Sequence, residues 1–323
     1  MKAIVQDTYG SSDVLELRDV DRPVAGDDEV LVRVHAAAVD PGVWHLMTGL
    51  PYLVRAFGYG LRAPKVRVRG RDLAGRVEAV GRNVTRFRPG DEVFGTCEGS
   101  FAEYAIARED RVAPKPSNLT FEQAAALPIS ATTALQGLRD AARVQPGQKV
   151  LIIGAGGGVG TFAVQLAKAF GAEVTGVCGT AKVELVRSIG ADDVVDYTRE
   201  DFADGSRRYD VILDTAGNRP LSQLRRALAA KGALVIVGGE GGGRWLGGFQ
   251  RSLQATVLSP FTGQRLRGLI ATDDGADLRA LGGYVDAGEL TPVIDRTYPL
   301  SEAPEAIRYV NQGHARGKVV ITV

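Results

Sequence analysis

A glycine-dense turn in the middle of the chain is the segment whose residue types suggest the most specific chemistry. The apolar run KVLII at 149–153 is followed by GAGGGVG at 154–160 and then by a helical pattern that stops at Gly171. Without side chains, such a turn lets an anion reach the free N–H groups and the positive dipole at the start of the helix. The sequence therefore predicts a phosphate-binding turn, with a tight βα turn that holds no ligand as the alternative.

The spacing within this turn matches a dinucleotide-binding fingerprint with one departure. If Gly160 is the third position, Gly157 is the second and Ala155 the first, which gives A-x-G-x-x-G in place of G-x-G-x-x-G. A strand precedes the turn, a helix follows it, and further βα units come after. We therefore expect the turn to hold the pyrophosphate of a dinucleotide, through Ala155, Gly157, Gly158, Val159 and Gly160.

The end of the second strand favours one nicotinamide coenzyme over the other. Proteins that prefer NAD usually place Asp or Glu there, about 20 residues after the turn, on the ribose 2′-hydroxyl. Here the strand ends with Cys178, Gly179 and Thr180, Lys182 follows, and no carboxylate precedes Glu184. A hydroxyl and a cation suit a 2′-phosphate. The sequence thus favours NADPH, although Lys182 could simply be a solvated lysine in the first turn of a helix.

The surrounding elements predict an α/β chain of two parts. The first 120 residues or so alternate apolar and polar side chains between turn signals, which indicates β-rich structure. From residue 149 onward, short apolar strands alternate with helices, including a helix from Leu221 to Lys231–Gly232, which is typical of a parallel sheet covered on both faces. The closing strand GKVVITV at 317–323 needs a partner, and pairing with the N-terminal β region would make the first domain discontinuous.

Composition and charge exclude several classes of function. The 323 residues include 39 Lys+Arg and 38 Asp+Glu, so no large basic field draws nucleic acid or an anionic membrane. Two cysteines, Cys97 and Cys178, make no disulfide framework. The longest apolar stretch, 150–167, contains five glycines and is better explained by a strand, a turn and a helix than by a membrane span. With no signal-peptide pattern, we expect a cytoplasmic protein.

Motifs along nearly the whole chain resemble the medium-chain dehydrogenase/reductase superfamily, in its zinc-free quinone oxidoreductase (zeta-crystallin-like) branch. The matching segments are AAAVDP at 36–41, GRDLAGRVEAVG at 70–81, FRPGDEVFG at 87–95, AAALPISATTAL at 124–135, LVRSIGADDVVDYT at 185–198 and DTAG at 214–217. The resemblance implies a Rossmann doubly wound parallel sheet at 123–263, inserted in a mainly-β GroES-like catalytic domain of residues 1–122 and 264–323. It also implies NADPH in the cleft between these domains.

The same resemblance implies places for further residues. Lys182 and Tyr197 match residues that lie beside the 2′-phosphate in relatives. Thr133 and the turn Gly238–Gly239 match residues on the nicotinamide side. A homodimer, formed through edge strands of the nucleotide domain near ALVIVGG at 233–239, is implied by the resemblance alone.

The positions that hold a catalytic metal in zinc-dependent members carry other residues here. Those members use a Cys on an early loop and a His in a G-H-E segment, and the matching residues of this chain are Asp40 and Arg71. Zinc needs three or four converging N, S or O ligands. A site reassembled from Asp40, His45 and Asp72 is the remaining alternative, and we expect no metal.

Without a metal, acceptors with a conjugated carbonyl are favoured. Hydride added to a β-carbon or a quinone ring spreads its charge into an enolate or hydroquinone anion, for which ordinary hydrogen-bond donors suffice. The expected activity is therefore NADPH-dependent reduction of a quinone or an α,β-unsaturated carbonyl. Tyr52 is the first candidate donor to the carbonyl oxygen, with packing of its loop as the alternative. Arg71 is the second candidate, or it pairs with Asp72 or Asp91. Asp40 could bond backbone instead of moving a proton.

Two other functions stay open at this stage. An enoyl-thioester reductase would need positive charge for a large carrier, and the available cluster is Arg55, Arg62, Lys65, Arg67 and Arg69. A non-catalytic NADPH-binding sensor would contain the same glycine turn. Consumption of NADPH in the presence of quinones, alkenals or enones would distinguish an enzyme from a sensor.

Overall fold

The chain forms two compact units, which are described separately. A computed structural model describes residues 1–239 and 243–323. The first unit comprises Met1–Thr132 together with Asp273–Val323, and the second comprises Thr133–Thr272. The N-terminal and C-terminal segments thus share one unit. The boundaries lie at 132/133 and 272/273, later in the chain than the expected 122/123 and 263/264.

Strands and helices are numbered in chain order. The strands are β1 (Lys2–Val5), β2 (Glu16–Asp19), β3 (Glu29–Val39), β4 (Asp72–Val80), β5 (Glu92–Thr96), β6 (Tyr104–Arg108), β7 (Val112–Pro114), β8 (Lys149–Ile153), β9 (Glu173–Cys178), β10 (Asp193–Asp196), β11 (Tyr209–Asp214), β12 (Leu228–Ile236), β13 (Arg265–Gly268), β14 (Ile294–Pro299) and β15 (Lys318–Thr322). The helices are α1 (Pro41–Thr48), α2 (Tyr52–Val54), α3 (Phe121–Ala125), α4 (Pro128–Leu135), α5 (Gly158–Ala169), α6 (Val183–Ser188), α7 (Leu221–Ala227), α8 (Gly243–Leu246), α9 (Phe249–Leu258), α10 (Gly275–Asp286) and α11 (Ala303–Asn311).

The first unit is built on a mainly antiparallel sheet in the order β14-β15-β3-β4-β5-β7, with β6 also paired to β3. Alternate apolar side chains of β3 face one core, where Val30, Val32 and Val34 pack with Val77 of β4. Strand β15 pairs antiparallel with β3. This pairing confirms the prediction that GKVVITV returns to the N-terminal β region, where Val319 and Ile321 are buried in an apolar core.

The second unit contains a six-stranded parallel sheet in the order β10-β9-β8-β11-β12-β13. Counted within the unit, this is the order 3-2-1-4-5-6 of the doubly wound dinucleotide fold, as the sequence predicts. Leu151, Ile212 and Leu234 are completely buried on neighbouring strands. The strand order reverses between β8 and β11, and in such sheets ligands bind at the carboxyl ends of the strands near that point. The glycine turn follows β8 directly and so begins there.

The helix predicted to end at Lys231–Gly232 ends at Ala227 instead, so this prediction is wrong. Leu228 takes an extended backbone conformation and begins β12 opposite Tyr209 of β11. Both side chains are buried in the same apolar core. Burial of Leu228 beside Tyr209 therefore outweighs the helical preference of the Leu-Ala-Ala segment, which local propensity alone does not weigh.

The helices are short for a protein of this length. The two 12-residue helices, α5 and α10, are well below the roughly 20 apolar residues of a membrane span. Over residues 1–239 and 243–323, no helix has the length and apolar character needed to cross a membrane.

Candidate functional site

The glycine turn after β8 leaves no room for a side chain at Gly154 or Gly160. Gly154 has a φ of 84°, in the left-handed region that favours glycine. A Cβ on Gly160 would lie 2.7 Å from the Cα of Ala155 and closer still to the carbonyl oxygen of Gly154. Gly157 precedes α5 in an extended conformation, and no side chain caps this helix. Because the first N–H groups of a helix have no intrahelical partner, those from Gly158 onward fit a phosphate.

Two other residues of the turn have distinct surroundings. Ala155 is buried, and its N–H donates to the carbonyl of Val177 in β9. Val159 is half-buried in the first turn of α5. These two therefore shape the turn, while its glycines leave the backbone accessible.

Lys182 and Tyr197 lie over neighbouring glycines at the carboxyl ends of β8 and β9. A Cβ on Gly156 would lie 2.8 Å from Lys182 Cδ, and a Cβ on Gly179 would lie 3.3 Å from the Tyr197 hydroxyl. The guanidinium of Arg219 lies 5.8 Å from the centre of the Tyr197 ring. This arrangement fits the coenzyme phosphates, and Arg219 adds a cation that no sequence motif indicated.

A buried carboxylate adjoins these residues. Asp196, the last residue of β10, accepts hydrogen bonds from Thr180 Oγ1 at 2.6 Å and from Thr198 Oγ1 at 2.8 Å. These bonds, the one from Thr180 foremost, hold the pKa of Asp196 below its ordinary value. Burial, assisted by the charge of Asp196, raises the pKa of the Cys178 thiol to about 11. Cys178 is therefore a neutral, unreactive thiol at neutral pH.

The loops after β11 and β12 pack backbone against backbone at the same edge of the sheet. Gly217 has a φ of 68°, and a Cβ there would lie 2.5 Å from the carbonyl oxygen of Gly238. Gly239 is packed as tightly against Gly248. The glycines of these loops permit contacts that no larger residue would allow.

Thr133, the other residue expected on the nicotinamide side, is buried in α4.

A buried ion pair holds the loop after β11. Asp214 is completely buried at the end of that strand and accepts hydrogen bonds from the Gly217 N–H at 3.0 Å and from Arg251 Nη2 at 2.7 Å. Arg251 Nη2 also lies 2.6 Å from the carbonyl oxygen of Arg219. Arg251 of α9 was not predicted, because nothing in the local sequence marks it as the partner of Asp214.

In the first unit, Asp40 and Arg71 are brought within electrostatic reach of each other. Asp40 Oδ1 caps α1 by accepting the Gly42 N–H at 2.7 Å, while its Oδ2 is buried without a hydrogen-bond partner among the described residues. Arg71 Nη2 bonds Asp273 at 2.6 Å, and Arg71 Nε is likewise buried and unpartnered. Burial opposes the charge of Arg71, but Asp273 and then Asp40 outweigh it and raise the pKa of the guanidinium.

Arg71 pairs with neither of the acids that the sequence suggested. Asp72 is bonded by Lys318, and Asp91 accepts the N–H of Arg88 at 3.0 Å in the Pro-Gly turn. The actual partner, Asp273, is 202 residues away along the chain. Such a pairing depends on the folded unit and has no local signal.

Tyr52 lies on α2 in a segment organised around Arg55. The Arg55 guanidinium is 4.9 Å from the centre of the Tyr52 ring and 4.3 Å from that of Tyr9. It also donates to the carbonyl oxygens of Thr48 and Gly49 at the end of α1. Half-buried Tyr52 therefore packs its segment, and the role of its hydroxyl as a donor stays a proposal.

A second buried ion pair was missed from the sequence. Lys318 Nζ lies 3.2 Å from Asp72 Oδ2 and 2.9 Å from Ser130 Oγ, and Asp72 Oδ1 accepts the N–H of Ile129 at 2.9 Å. The side chains of Lys318 and Asp72 are 2% and 0% exposed. The pair thus ties β4 and β15 to the first turn of α4, the helix that carries Thr133. The sequence feature that could have indicated this pair is a lysine at the start of the otherwise apolar strand β15.

Two of the three residues considered as metal ligands, Asp72 and His45, are engaged elsewhere. Asp72 is bonded to Lys318, and His45 Nδ1 lies 2.7 Å from the carbonyl oxygen of Leu50. Arg71 places a cation where zinc-dependent proteins of this resemblance have a ligand. In the described part of the chain, no three His, Cys, Asp or Glu side chains are grouped to hold a metal ion. This donor set does not fit a catalytic zinc.

The fold and the turn define a dinucleotide-binding oxidoreductase of two units, and comparisons with known proteins agree. Residues 26–117 match the alcohol dehydrogenase GroES-like domain, and residues 189–321 match the family described as zinc-binding dehydrogenase. The chain is 36% identical to 2-methylene-furan-3-one reductase of Solanum lycopersicum, over 99% of this chain and 79% of the relative. It is 34% identical to the NADPH-dependent alkenal/one oxidoreductase, chloroplastic, of Arabidopsis thaliana, with the same two coverages. The solved quinone oxidoreductase of Coxiella burnetii superposes with a TM-score of 0.89 at 31% identity, covering 100% of this chain and 99% of that one.

The chain belongs to the medium-chain dehydrogenase/reductase superfamily. The resemblance stated from the motifs is thereby confirmed, as are the two-domain α/β fold class and the assignment of the chain as an oxidoreductase. Its coenzyme is a nicotinamide dinucleotide, NAD or NADP.

Proposed function

We propose that the protein is an NADPH-dependent reductase that transfers hydride to a quinone or an α,β-unsaturated carbonyl without a metal. The observation that carries the proposal is the glycine turn after β8, with Lys182 and Tyr197 packed over Gly156 and Gly179. The turn supplies backbone donors for a pyrophosphate, and Lys182 supplies positive charge for a 2′-phosphate. Relatives named for quinone and alkenal/one reduction support the acceptor class.

The second unit contains the residues proposed for the coenzyme. The coenzyme, when bound, supplies the hydride. In the second unit, the amides of the turn would bind the pyrophosphate. Lys182 and Tyr197 would bind the phosphate of the adenosine ribose, with Thr180 beside that ribose. Thr133 and Gly238–Gly239 would lie on the nicotinamide side. These residues bind and orient, because hydride transfer requires the donor and acceptor carbons to be held close together.

In the first unit, Arg71 is the group best suited to stabilise negative charge on the acceptor oxygen. Its guanidinium stays cationic beside Asp273 and Asp40, and its buried Nε has no acceptor among the described residues. A fixed cationic donor stabilises an enolate or a hydroquinone anion without giving up a proton. Tyr52 is the second proposed donor. Asp40 mainly caps α1, so the final proton is assigned to water.

The same residues argue for a conjugated acceptor. A saturated ketone needs strong activation of its carbonyl, by a metal or a dedicated acid. Arg71 stands at one of the two matching zinc positions and is a cation, which opposes binding of a second cation. An enone or a quinone spreads the incoming charge over several atoms, so hydrogen-bond donors of this kind are sufficient.

The enoyl-thioester alternative gains no support from the basic residues considered for it. Arg69 is buried and donates to the carbonyl of Leu46 at the end of α1. Arg55 is held over Tyr9, and Arg67 is paired with Asp7. Three of the five cations are therefore committed within the first unit and do not present a common surface to a carrier.

The experiment that tests the proposal follows NADPH absorbance with a panel of quinones, alkenals, enones and saturated ketones, before and after treatment with a chelator. We expect consumption with a quinone or a conjugated carbonyl, none with the saturated ketones, and no loss of rate after chelation. Tyr52→Phe should lower kcat/KM about tenfold without changing the NADPH dissociation constant, since one neutral hydrogen bond is removed. A flat trace with every acceptor despite measured NADPH binding would instead identify a sensor.

We also propose a homodimer formed through the open edge of the six-stranded sheet. Strand β12, which carries most of ALVIVGG, is paired on both sides, and the edge strand beside it is β13. Beside β13, α9 and the turn after it expose Leu253 (61%), Val257 (58%) and Phe261 (84%). Exposed apolar side chains at helical spacing next to an edge strand are typical of an interface.

Sedimentation checks this arrangement. The wild type should sediment at twice its chain mass of 34.2 kDa, and the double variant Leu253→Asp/Val257→Asp should sediment as a single chain, because charges would be buried at the interface. Val24→Asp/Leu61→Asp makes the same change at exposed apolar positions of the first unit and should leave the dimer intact. A wild type that sediments as a single chain at all accessible concentrations contradicts the proposal.

A further inference from the structure

A buried carboxylate lies where the sequence of the second strand lacks one. Asp196 ends β10 and is aligned with Cys178, the last residue of β9. Its carboxylate accepts Thr180 Oγ1 at 2.6 Å, and it accepts the Thr198 N–H at 3.0 Å together with Thr198 Oγ1 at 2.8 Å. Thr180 lies two residues beyond the end of β9, where dinucleotide-binding folds contact the adenosine ribose. The neighbouring strand therefore supplies the acid that β9 does not.

We propose that Asp196 is a specificity-determining residue that limits the preference for NADPH and lets the protein also bind NADH. This inference rests on the proposed function, because it concerns the coenzyme site assigned there. Unlike the residues assigned there, Asp196 weakens binding of the 2′-phosphate.

The hydroxyl of Thr180 has a single proton, which it already donates to Asp196. A threonine hydroxyl has one hydrogen to donate, and the hydroxyl of Thr180 lies at a short distance from the carboxylate of Asp196. A 2′-phosphate at neutral pH carries mostly acceptor oxygens. Thr180 can therefore donate to the phosphate only by giving up its bond to Asp196. The hydroxyl that suggested NADPH in the sequence is thus largely committed within the protein.

The negative charge of Asp196 also opposes binding of the 2′-phosphate. The bonds from Thr180 and Thr198 keep the pKa of Asp196 low, so the group is ionised at neutral pH and repels a phosphate dianion. Opposing it are the cations of the same region: Lys182 over Gly156, Arg219 over the Tyr197 ring, and Arg199, whose Nε is 3.7 Å from the carboxylate. These cations favour NADPH, and Asp196 subtracts from their effect. The ribose 2′-hydroxyl of NADH meets no such penalty.

The test measures dissociation constants of NADPH and NADH by titration calorimetry, with no acceptor present. Asp196→Asn removes the charge and keeps an oxygen that accepts from Thr198. We expect NADPH to bind about three- to tenfold more tightly, because one negative charge that repels the 2′-phosphate is removed. The dissociation constant of NADH should change by less than about twofold. Asp193→Asn, at the other end of β10 and paired with Arg207, makes the same change in net charge and should leave both constants unchanged.

A second variant keeps the proposal testable if Asp196→Asn does not fold. Because the hydroxyl of Thr180 is committed to Asp196, Thr180→Val should change NADPH affinity by less than about threefold relative to NADH. A selective tenfold loss would show that this hydroxyl binds the phosphate and would overturn the inference. An unchanged ratio of the two constants in Asp196→Asn overturns it as well, while the proposed function stands. If the wild type binds neither coenzyme, both the inference about Asp196 and the proposed function are contradicted.

Discussion

Replacing Gly160 by alanine is expected to weaken coenzyme binding about 100-fold or more while leaving most of the fold intact. The added methyl group would lie 2.7 Å from Ala155 Cα and 2.8 Å from the carbonyl carbon of Gly154, both backbone atoms that no rotamer change can move. The start of α5 must then shift away from the turn, and its amides lose their common direction. Loss of two hydrogen bonds to a charged phosphate, each about 1.5–3 kcal/mol, corresponds to a loss in affinity of about 100-fold or more.

Calorimetry with NADPH, together with a thermal melt, checks this expectation. Strain at the turn should also lower the free energy of unfolding by about 1–3 kcal/mol, as overpacking commonly does. Gly283→Ala is the matched control, since a Cβ there meets nothing within 4 Å and the residue lies inside α10. It should leave NADPH binding unchanged and stabilise the helix by roughly 0.5–1 kcal/mol. Wild-type affinity in Gly160→Ala would mean that the turn does not hold the pyrophosphate.

The nucleotide-binding unit could be predicted closely because its signals are local. The strands at 149–153, 173–178 and 209–214 have the bounds expected from their apolar runs. Buried parallel strands read as short apolar segments bounded by turn residues, and Gly154 and Gly217, which follow β8 and β11, have positive φ. The error at Leu228 arose where a strand begins without such a stop, directly after a helix.

The polar groups of the site were predicted less well because their partners are distant along the chain. Arg71 meets Asp273, and Lys318 meets Asp72 across 246 residues. Asp196 was overlooked for a related reason, since its partner Thr180 follows a different strand. Motif spacing describes which residues surround a backbone turn. It contains no information on which buried charges neutralise one another after the sheets are assembled.

The buried pair of Lys318 and Asp72 makes the stability of the first unit depend on pH. The pKa of Asp72 is raised to about 7, because burial, together with the charge of Asp40, outweighs the lowering effect of Lys318. The folded-state pKa therefore lies above the ordinary value of 3.8. Between about pH 4 and pH 7 the unfolded chain releases a proton that the folded chain retains, so this group makes unfolding more favourable as the pH rises through that window.

Lys318→Met should destabilise the first unit by about 3–5 kcal/mol at pH 8, because a buried carboxylate is left without its counter-charge. Removing Lys318 raises the pKa of Asp72 still more, which extends the destabilising window to higher pH. The loss should therefore be smaller at pH 5, where Asp72 is protonated in the folded variant, and larger at pH 8. Denaturant unfolding at the two pH values measures the difference.

The double variant Asp72→Asn/Lys318→Met separates lost charge from lost packing. The introduced asparagine carries no charge, and its oxygen can still accept the N–H of Ile129, so more than half of the lost stability should return at pH 8 and the dependence on pH should disappear. Lys149→Met, at an exposed lysine of β8, should change the free energy of unfolding by no more than about 0.5 kcal/mol. If Lys318→Met were equally destabilising at both pH values, the contribution of Lys318 would be packing of its aliphatic stem. The ion pair would then not be what ties β15 and β4 to the start of α4.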